Sequence, residues 1–275
     1  MSHPQPLFIM GSKRSGSTHL VNALNLHPLV YVTHESDIVW ILYQIYKDIP
    51  ERFQSYPLDE GKGMWATLKK YGGTLESIPA GTGDRGRVIQ AFYEVLLQIN
   101  ETGRGGWDDP LKKENLAWIG DKKPVQYSDP VIQSFLNDVF PGARYIHLIR
   151  NPRFVVASMV DAAKNWGDQS VPAYWKETSQ KILESWASHE EWVLQIKSRM
   201  PNSVHTVRLE DLSDDPVRTM SEAFGFLDLD FPSGTENLIA KWTWKNPNRR
   251  HETFDLSISP RAHRIMQTYG YVDRS

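Results

Sequence analysis

Four short stretches hold residues whose types and spacing suit the grip of an anion and the movement of a proton. In GSKRSGST, Gly11 and Gly16 have the G-x-x-x-x-G spacing of a phosphate-binding loop, and Thr18 stands where that loop wants Ser or Thr. The lysine that should follow the second glycine is replaced by Ser17, and the cations sit inside the loop as Lys13 and Arg14. Backbone N–H groups around Gly16, with the dipole of the helix they open, favour anionic oxygens. Arg14 adds a planar, permanently charged fork that shares oxygens better than a lysine point charge.

The second stretch, YIHLIRNPRFVVASM, ends a strand in Arg150 and carries Ser158 eight positions on. An NTPase often ends such a strand in an aspartate that helps hold Mg²⁺. Arginine there points to a second phosphate bound without metal, a reading that depends on the loop beside it. The third is His34-Glu35, after the next strand, where Glu35 can take a proton from a hydroxyl nucleophile and His34 is a rival base. The fourth is GDKKP, where Lys122 or Lys123 can neutralise charge in transfer. Asp121 in the same stretch also reads as a Walker B acid, which is the sequence argument for a kinase.

Elements that would position these residues follow from periodicity. A buried strand at Leu7–Met10 precedes the loop, and a helical stripe of Leu20, Ala23, Leu24 and Leu26 follows it up to Pro28. Leu29–Val32 reads as the next strand, so the chain opens with a βαβ unit. A helix then runs through SDIVWILYQIYKDI, with Ser36 as its N-cap. Residues 50–86, rich in Gly, Pro and polar side chains, read as an irregular insertion or lid, and Arg87–Asn100 as a helix. Alternation resumes with NLAWIGD as strand, Asp129–Val139 as helix, ARYIHLI as strand and Pro152–Ala163 as helix. A long helix at Ala173–Met200, the strand SVHTVRL, a helix at Pro216–Phe226 and a last one from Pro260 complete the chain. The expectation is an α/β fold, a mostly parallel sheet flanked by helices, with ligands at the strand C-terminal ends. It forms one domain over residues 1–275, with a lid or acceptor-pocket insertion at about 50–115.

Bulk composition narrows the partners. A formal charge of −2 gives no global reason to expect nucleic acid or an acidic membrane, so any polyanion must meet a local basic cluster. The absence of cysteine excludes disulfides, thiolate metal sites and a cysteine nucleophile. MSHPQP has neither the basic nor the apolar part of a signal peptide, and no window reaches the apolar length of a membrane span, so the sequence reads as cytoplasmic.

The combination resembles the PAPS-dependent sulfotransferases, which use 3′-phosphoadenosine 5′-phosphosulfate (PAPS). GSKRSGST is similar to their 5′-phosphosulfate loop, more often P-K-S-G-T-T, with Arg14 at the lysine position as in the protein-tyrosine sulfotransferases and many bacterial relatives. RNPRFVVAS is similar to their 3′-phosphate motif. HPLVYVTHE resembles the tyrosine-sulfating branch, which carries its base at the position of Glu35, and DKKP resembles that branch's N-K-D-P, matching Lys122. VRLEDLSDDPVRTMSEAFGFLDL is similar to the family's later strand and helix, although Leu209 stands where the family often has a nucleotide-contacting tyrosine. The basic loop near the C-terminus departs from the family's R-K-G form, with Arg249 and Arg250 as substitutes.

The resemblance implies a P-loop-like fold and transfer of a sulfuryl group from PAPS to a hydroxyl, or an amine, of a small-molecule acceptor, leaving PAP. It implies Glu35 as base, Arg14 and Lys122 on the transferring group, and Lys13 with Ser15, Gly16, Ser17 and Thr18 on the 5′-phosphate. It also implies Arg150 and Ser158 on the 3′-phosphate, and no metal. Two other readings stay open: a kinase with Asp121 or Glu35 on Mg²⁺, and a nucleotide-binding protein without acceptor chemistry. For the acceptor, Asp37, Asp108 and Asp109 offer charge to a cation, and ten tryptophans offer apolar walls. A natural product or carbohydrate is the expected class.

Overall fold

The computed structural model describes residues 3–47, 71, 75, 84–101, 112–165, 171–242 and 256–271. Its five strands are β1 (Gln5–Gly11), β2 (Val30–His34), β3 (Trp118–Lys122), β4 (Arg144–Ile149) and β5 (Val204–Arg208), all parallel, in the order β2-β3-β1-β4-β5. The chain leaves β1 for β2 on one side and later crosses from β3 to β4 on the other. The order therefore reverses at β1, and the crevice beyond the C-terminal end of that strand is where such a sheet binds ligands.

The described helices are α1 (Ser17–Leu24), α2 (Ile38–Tyr46), α3 (Arg85–Glu101), α4 (Pro130–Val139), α5 (Pro152–Asn165), α6 (Val171–Arg199), α7 (Leu209–Asp214), α8 (Pro216–Phe226), α9 (Glu236–Trp242) and α10 (Pro260–Thr268). They cover both faces of the sheet, which is why β1 reads as an unbroken apolar run. Leu7 and Ile9 face a core shared with α1 and α8, through Leu20, Leu24, Met220 and Phe224. Phe8 and Met10 face the opposite core, with Ile41, Phe92, Phe135 and Tyr145. The Phe8 ring sits 5.4–5.8 Å from those of Phe92, Tyr127, Phe140 and Tyr145. Fully burying one such side chain stabilises the fold by about 1.5–3 kcal/mol. A third core joins α5, α6 and α10 through Val155, Val156, Leu183, Trp186, Ile265 and Met266.

Several boundaries differ from the expected ones. Strand β2 runs on to His34, and β3 runs one residue past Asp121 to Lys122, because the β2–β3 ladder pairs Val30 with Trp118 and continues to His34 with Lys122. On its other side β3 pairs with β1, and Gly120 lies opposite Leu7, where a Cβ would fall 1.6 Å from the Leu7 carbonyl oxygen. Ser36 is not the N-cap of α2. Asp37 holds that position in a left-handed conformation, and the Ser36 hydroxyl accepts the Ile38 N–H at 3.3 Å. Leu209 opens α7 and is not part of β5. Residues 85–101 form α3, which begins two residues before the expected helix and ends one after it, and its Val88, Phe92, Val95, Leu96 and Ile99 are buried in the main core.

Candidate active site

Three loops leave the C-terminal edge of the sheet around β1 and meet in one cleft of about 550 Å³. It is lined by Lys13, Arg14, Gly16, Ser17 and Thr18 from the first loop, Glu35 from the second, Lys122, Lys123 and Pro124 from the third, and Ser158 from α5. Of the positions singled out by residue type and spacing, Lys13, Arg14, Gly16, Ser17, Thr18, Glu35, Lys122, Lys123 and Ser158 line this cleft, whereas Ser15, Asp121 and Arg150 are fully buried and do not. Arg249 and Arg250, with Asp108 and Asp109, lie outside the described residues.

The first loop turns because Gly16 caps α1 at φ 93°, a left-handed conformation open to glycine, with Arg14 also at positive φ, 66°. Leu209 closes the back of this turn: a Cβ on Gly16 would lie 2.8 Å from its Cδ1. Leu209 is therefore a buried wedge behind the loop. Arg14 Nε donates to Ser158 Oγ at 3.1 Å, and Arg150 Nη1 donates to the Arg14 carbonyl at 2.9 Å. The two expected phosphate motifs thus touch each other.

Arg150 is fully buried. Burial lowers its guanidinium to about 10 against the pull of Glu210, so it stays charged at neutral pH. Glu210, a residue that the motif reading did not single out, accepts the Asn151 N–H at 3.0 Å and the Tyr271 hydroxyl at 2.7 Å. It ties the end of β4 to the C-terminal helix region. Its only signal in the sequence is its place directly after Leu209.

Across the cleft, Lys122 Nζ lies 2.6 Å from Glu35 Oε1, with Lys122 almost wholly buried and the glutamate half exposed. Partial burial pushes the Glu35 carboxyl up, but Lys122, then Lys123 and His34, outweigh it and hold it below its usual range. It is ionised at neutral pH, as a proton acceptor must be. His34 is pushed down to about 4 by burial and by Lys122, and its Nε2 sits 3.2 Å from Asn22 Oδ1. It is neutral, weakly basic and engaged by α1, whereas Glu35 is ionised and lines the cleft. Lys123 pairs with the buried Asp37 at 2.6 Å, which takes Asp37 away from any cationic acceptor.

Asp121 does not serve as the metal acid of a kinase. Fully buried, it accepts hydrogen bonds from the Thr33 hydroxyl and the Ser36 N–H on Oδ1 and from the Tyr127 hydroxyl on Oδ2. Its carboxylate is spent inside the fold. Among the described residues the group suited to a metal is His147, His189 and Glu190, with ligand atoms within 4.8 Å of one another. None of these lines the cleft. Glu190 Oε2 is already 2.9 Å from His147 Nε2, and His189 Nδ1 is 2.6 Å from Ser128 Oγ.

The family model described as the sulfotransferase family matches residues 6–233. The chain belongs to the sulfotransferase family. Among solved structures, the sulfotransferase domain of the Synechococcus PCC 7002 olefin synthase matches with a TM-score of 0.64 at 22% identity, covering 99% of this chain and 97% of that one. A sulfotransferase domain from the curacin biosynthetic pathway matches with a TM-score of 0.57 at 18% identity, covering 99% of both chains. Sulfotransferase STF9 from Mycobacterium avium gives a TM-score of 0.52 at 16% identity, over 98% of this chain and 76% of its own. No curated protein matches the chain. As a sulfotransferase-family member it has the expected fold, an all-parallel sheet of the P-loop-like kind. No helix among the described residues is long and apolar enough to cross a membrane.

Proposed function

We propose that this sulfotransferase moves a sulfuryl group from PAPS to a hydroxyl, or less readily an amine, of a small-molecule acceptor and releases PAP. The observation that carries the reading is the Glu35–Lys122 pair, 2.6 Å apart, facing the same cleft as the Lys13–Thr18 loop and Ser158. The residues present suit the donor. Gly16 leaves the turn of the loop open at the head of α1, and Arg14 and Arg150 meet beside Ser158. Bound there, PAPS would supply a sulfuryl group already activated by its anhydride link to the 5′-phosphate.

The protein's share of the chemistry follows from the side chains. Backbone N–H groups of Ser15, Gly16, Ser17 and Thr18, with Lys13, would hold the 5′-phosphate at the head of α1. Arg150 and Ser158 would hold the 3′-phosphate. Glu35 would accept the proton of the acceptor hydroxyl as its oxygen bonds to sulfur. Lys122 and Arg14 would carry the charge that passes to the departing 5′-phosphate, with no metal ion in that role. Holding both substrates in one cleft also removes much of the entropic barrier to their meeting. The acceptor class we infer is a natural product or carbohydrate, shaped by the 50–115 region, with Arg249 and Arg250 as further contacts to the nucleotide.

The test is incubation of the purified chain with PAPS and metabolite pools, read by mass spectrometry. A mass gain of one sulfuryl group on an acceptor, with PAP formed in equal amount, is the expected result. Transfer of phosphate from ATP with Mg²⁺, and none from PAPS, would overturn it.

A further inference from the structure

Glu35 sits in a conformation that it would not choose alone. It leaves β2 at φ 52°, in the left-handed region, where a residue other than glycine costs on the order of 1 kcal/mol or more. Such a turn persists only if its surroundings hold it. One hold is its own N–H, which donates to the Lys122 carbonyl at 2.9 Å. The other is Asp121, which grips the chain on both sides of Glu35. Its Oδ1 accepts from the Thr33 hydroxyl, two residues before, and from the Ser36 N–H, one residue after, at 3.1 Å.

Alternation along β3 explains how neighbours serve opposite sides. Lys122 points to the cleft and its ion pair, while Asp121 points to the core that holds Tyr127, whose hydroxyl donates to Oδ2. A fully buried carboxylate is a costly way to satisfy three donors, and its carboxyl is pushed up by burial. An amide or a hydroxyl would cost less if only packing were at stake. The arrangement makes sense if the Thr33–Ser36 turn must be fixed.

We propose that Asp121, oriented by Tyr127, is a positioning residue that fixes the turn holding Glu35 against Lys122. The proposal rests on Glu35 as the base of the transfer, and the experiment separates the two ideas. Asp121→Asn and Tyr127→Phe are compared with Glu35→Gln and with the double variant Asp121→Asn/Glu35→Gln, all in the full chain. Asp121→Asn is expected to lower kcat about tenfold to a hundredfold while the PAP dissociation constant stays within about threefold. In the Glu35→Gln background it should lower kcat no further, as expected of residues acting as one unit. Carbon-detected NMR of the Glu35 carboxyl gives a readout that needs no turnover: its titration should rise toward the usual glutamate range in Asp121→Asn.

Losses that multiply in the double variant, or an unshifted Glu35 titration, would overturn the proposal. If Glu35→Gln turns over normally while Asp121→Asn still shifts the Glu35 titration, the base assignment fails and the positioning role stands. If Asp121→Asn does not fold, Tyr127→Phe decides: a lower kcat with a shifted Glu35 titration supports the role, and wild-type values for both overturn it.

Discussion

Arg150→Ala asks whether the end of β4 reads the donor's 3′-phosphate. The guanidinium is wholly buried and makes an internal bond, 2.9 Å to the Arg14 carbonyl, so its removal does two separable things. Loss of the internal bond loosens the first loop and should weaken every nucleotide, by roughly the 0.5–1.5 kcal/mol of an ordinary intramolecular hydrogen bond. Loss of a charge-assisted bond to the 3′-phosphate adds about 1.5–3 kcal/mol, felt only by ligands that carry that group. Calorimetric titration of wild type and variant with PAP and with adenosine 5′-phosphate separates the two. The double difference should correspond to about tenfold to a hundredfold in the dissociation constant of PAP beyond the loss seen with the shorter nucleotide. Arg150→Lys keeps the charge without the fork and should fall between. Equal weakening of both ligands would make Arg150 a strut for the loop, and the 3′-phosphate assignment would fail with it.

Glu35→Gln should cut turnover by on the order of 10²–10⁴ while PAP affinity stays near wild type; turnover within threefold of wild type would remove Glu35 as base. A chelator should leave turnover largely intact, because on the proposed function Arg14, Lys122 and Arg150 would supply the positive charge; loss with EDTA and rescue by Mg²⁺ would favour a kinase-like mechanism. Gly16→Ala should destabilise by about 1–3 kcal/mol in a urea melt and weaken PAP, since it meets both φ 93° and Leu209 Cδ1; an unchanged midpoint would refute the packing argument. Burial holds His189 down at about 4, and burial with Lys122 does the same to His34, so the unfolded chain binds protons that the fold refuses. Stability should be full above about pH 6.5 and fall by roughly 2–4 kcal/mol toward pH 5, and a flat urea midpoint across that window would contradict it.

The sequence showed the cleft more clearly than the scaffolding beneath it. Lys13 to Thr18, Glu35, Lys122 and Ser158 carry recognisable chemistry at fixed spacing, and the sheet brings them to one edge because parallel strands end together. Strand ends were harder to see, since a strand stops where its ladder stops. His34 and Lys122 pair across β2 and β3, and nothing in VTHE or GDKKP alone reveals that partner. Asp121 shows the limit most plainly. An aspartate after an apolar run looks the same whether it faces a metal or the core, and only the arrival of Thr33, Ser36 and Tyr127 from elsewhere decides it. Glu210 and Leu209 escape for the same reason, because their partners, Asn151 with Tyr271 and Gly16, lie 59 or more residues away in sequence.

The arginine in the bend of the first loop and the missing lysine after Gly16 have one physical explanation. Position 17 lies in the first turn of α1, where Ser17 lines the cleft in place of a lysine. Arg14 instead projects from the bend and reaches Ser158 on α5, so one cation spans both anion motifs. Four of the cationic groups at the cleft also have a partner within the chain: Arg14 on Ser158, Arg150 on the Arg14 carbonyl, Lys122 on Glu35 and Lys123 on Asp37. A buried charge without a partner costs several kcal/mol, so these contacts keep the cations in place before any ligand arrives. They also limit what a ligand gains. A phosphate oxygen that meets Arg14 replaces a neutral hydroxyl, whereas one that meets Lys122 must compete with a carboxylate. Of these four cations, Arg14 and Arg150 should therefore contribute most to holding the donor's anionic groups, beside Lys13 and the loop N–H groups. On the proposed function, the Glu35–Lys122 pair would open when an acceptor hydroxyl enters between them, with the proton acceptor and the charge carrier then on either side of the reacting oxygen.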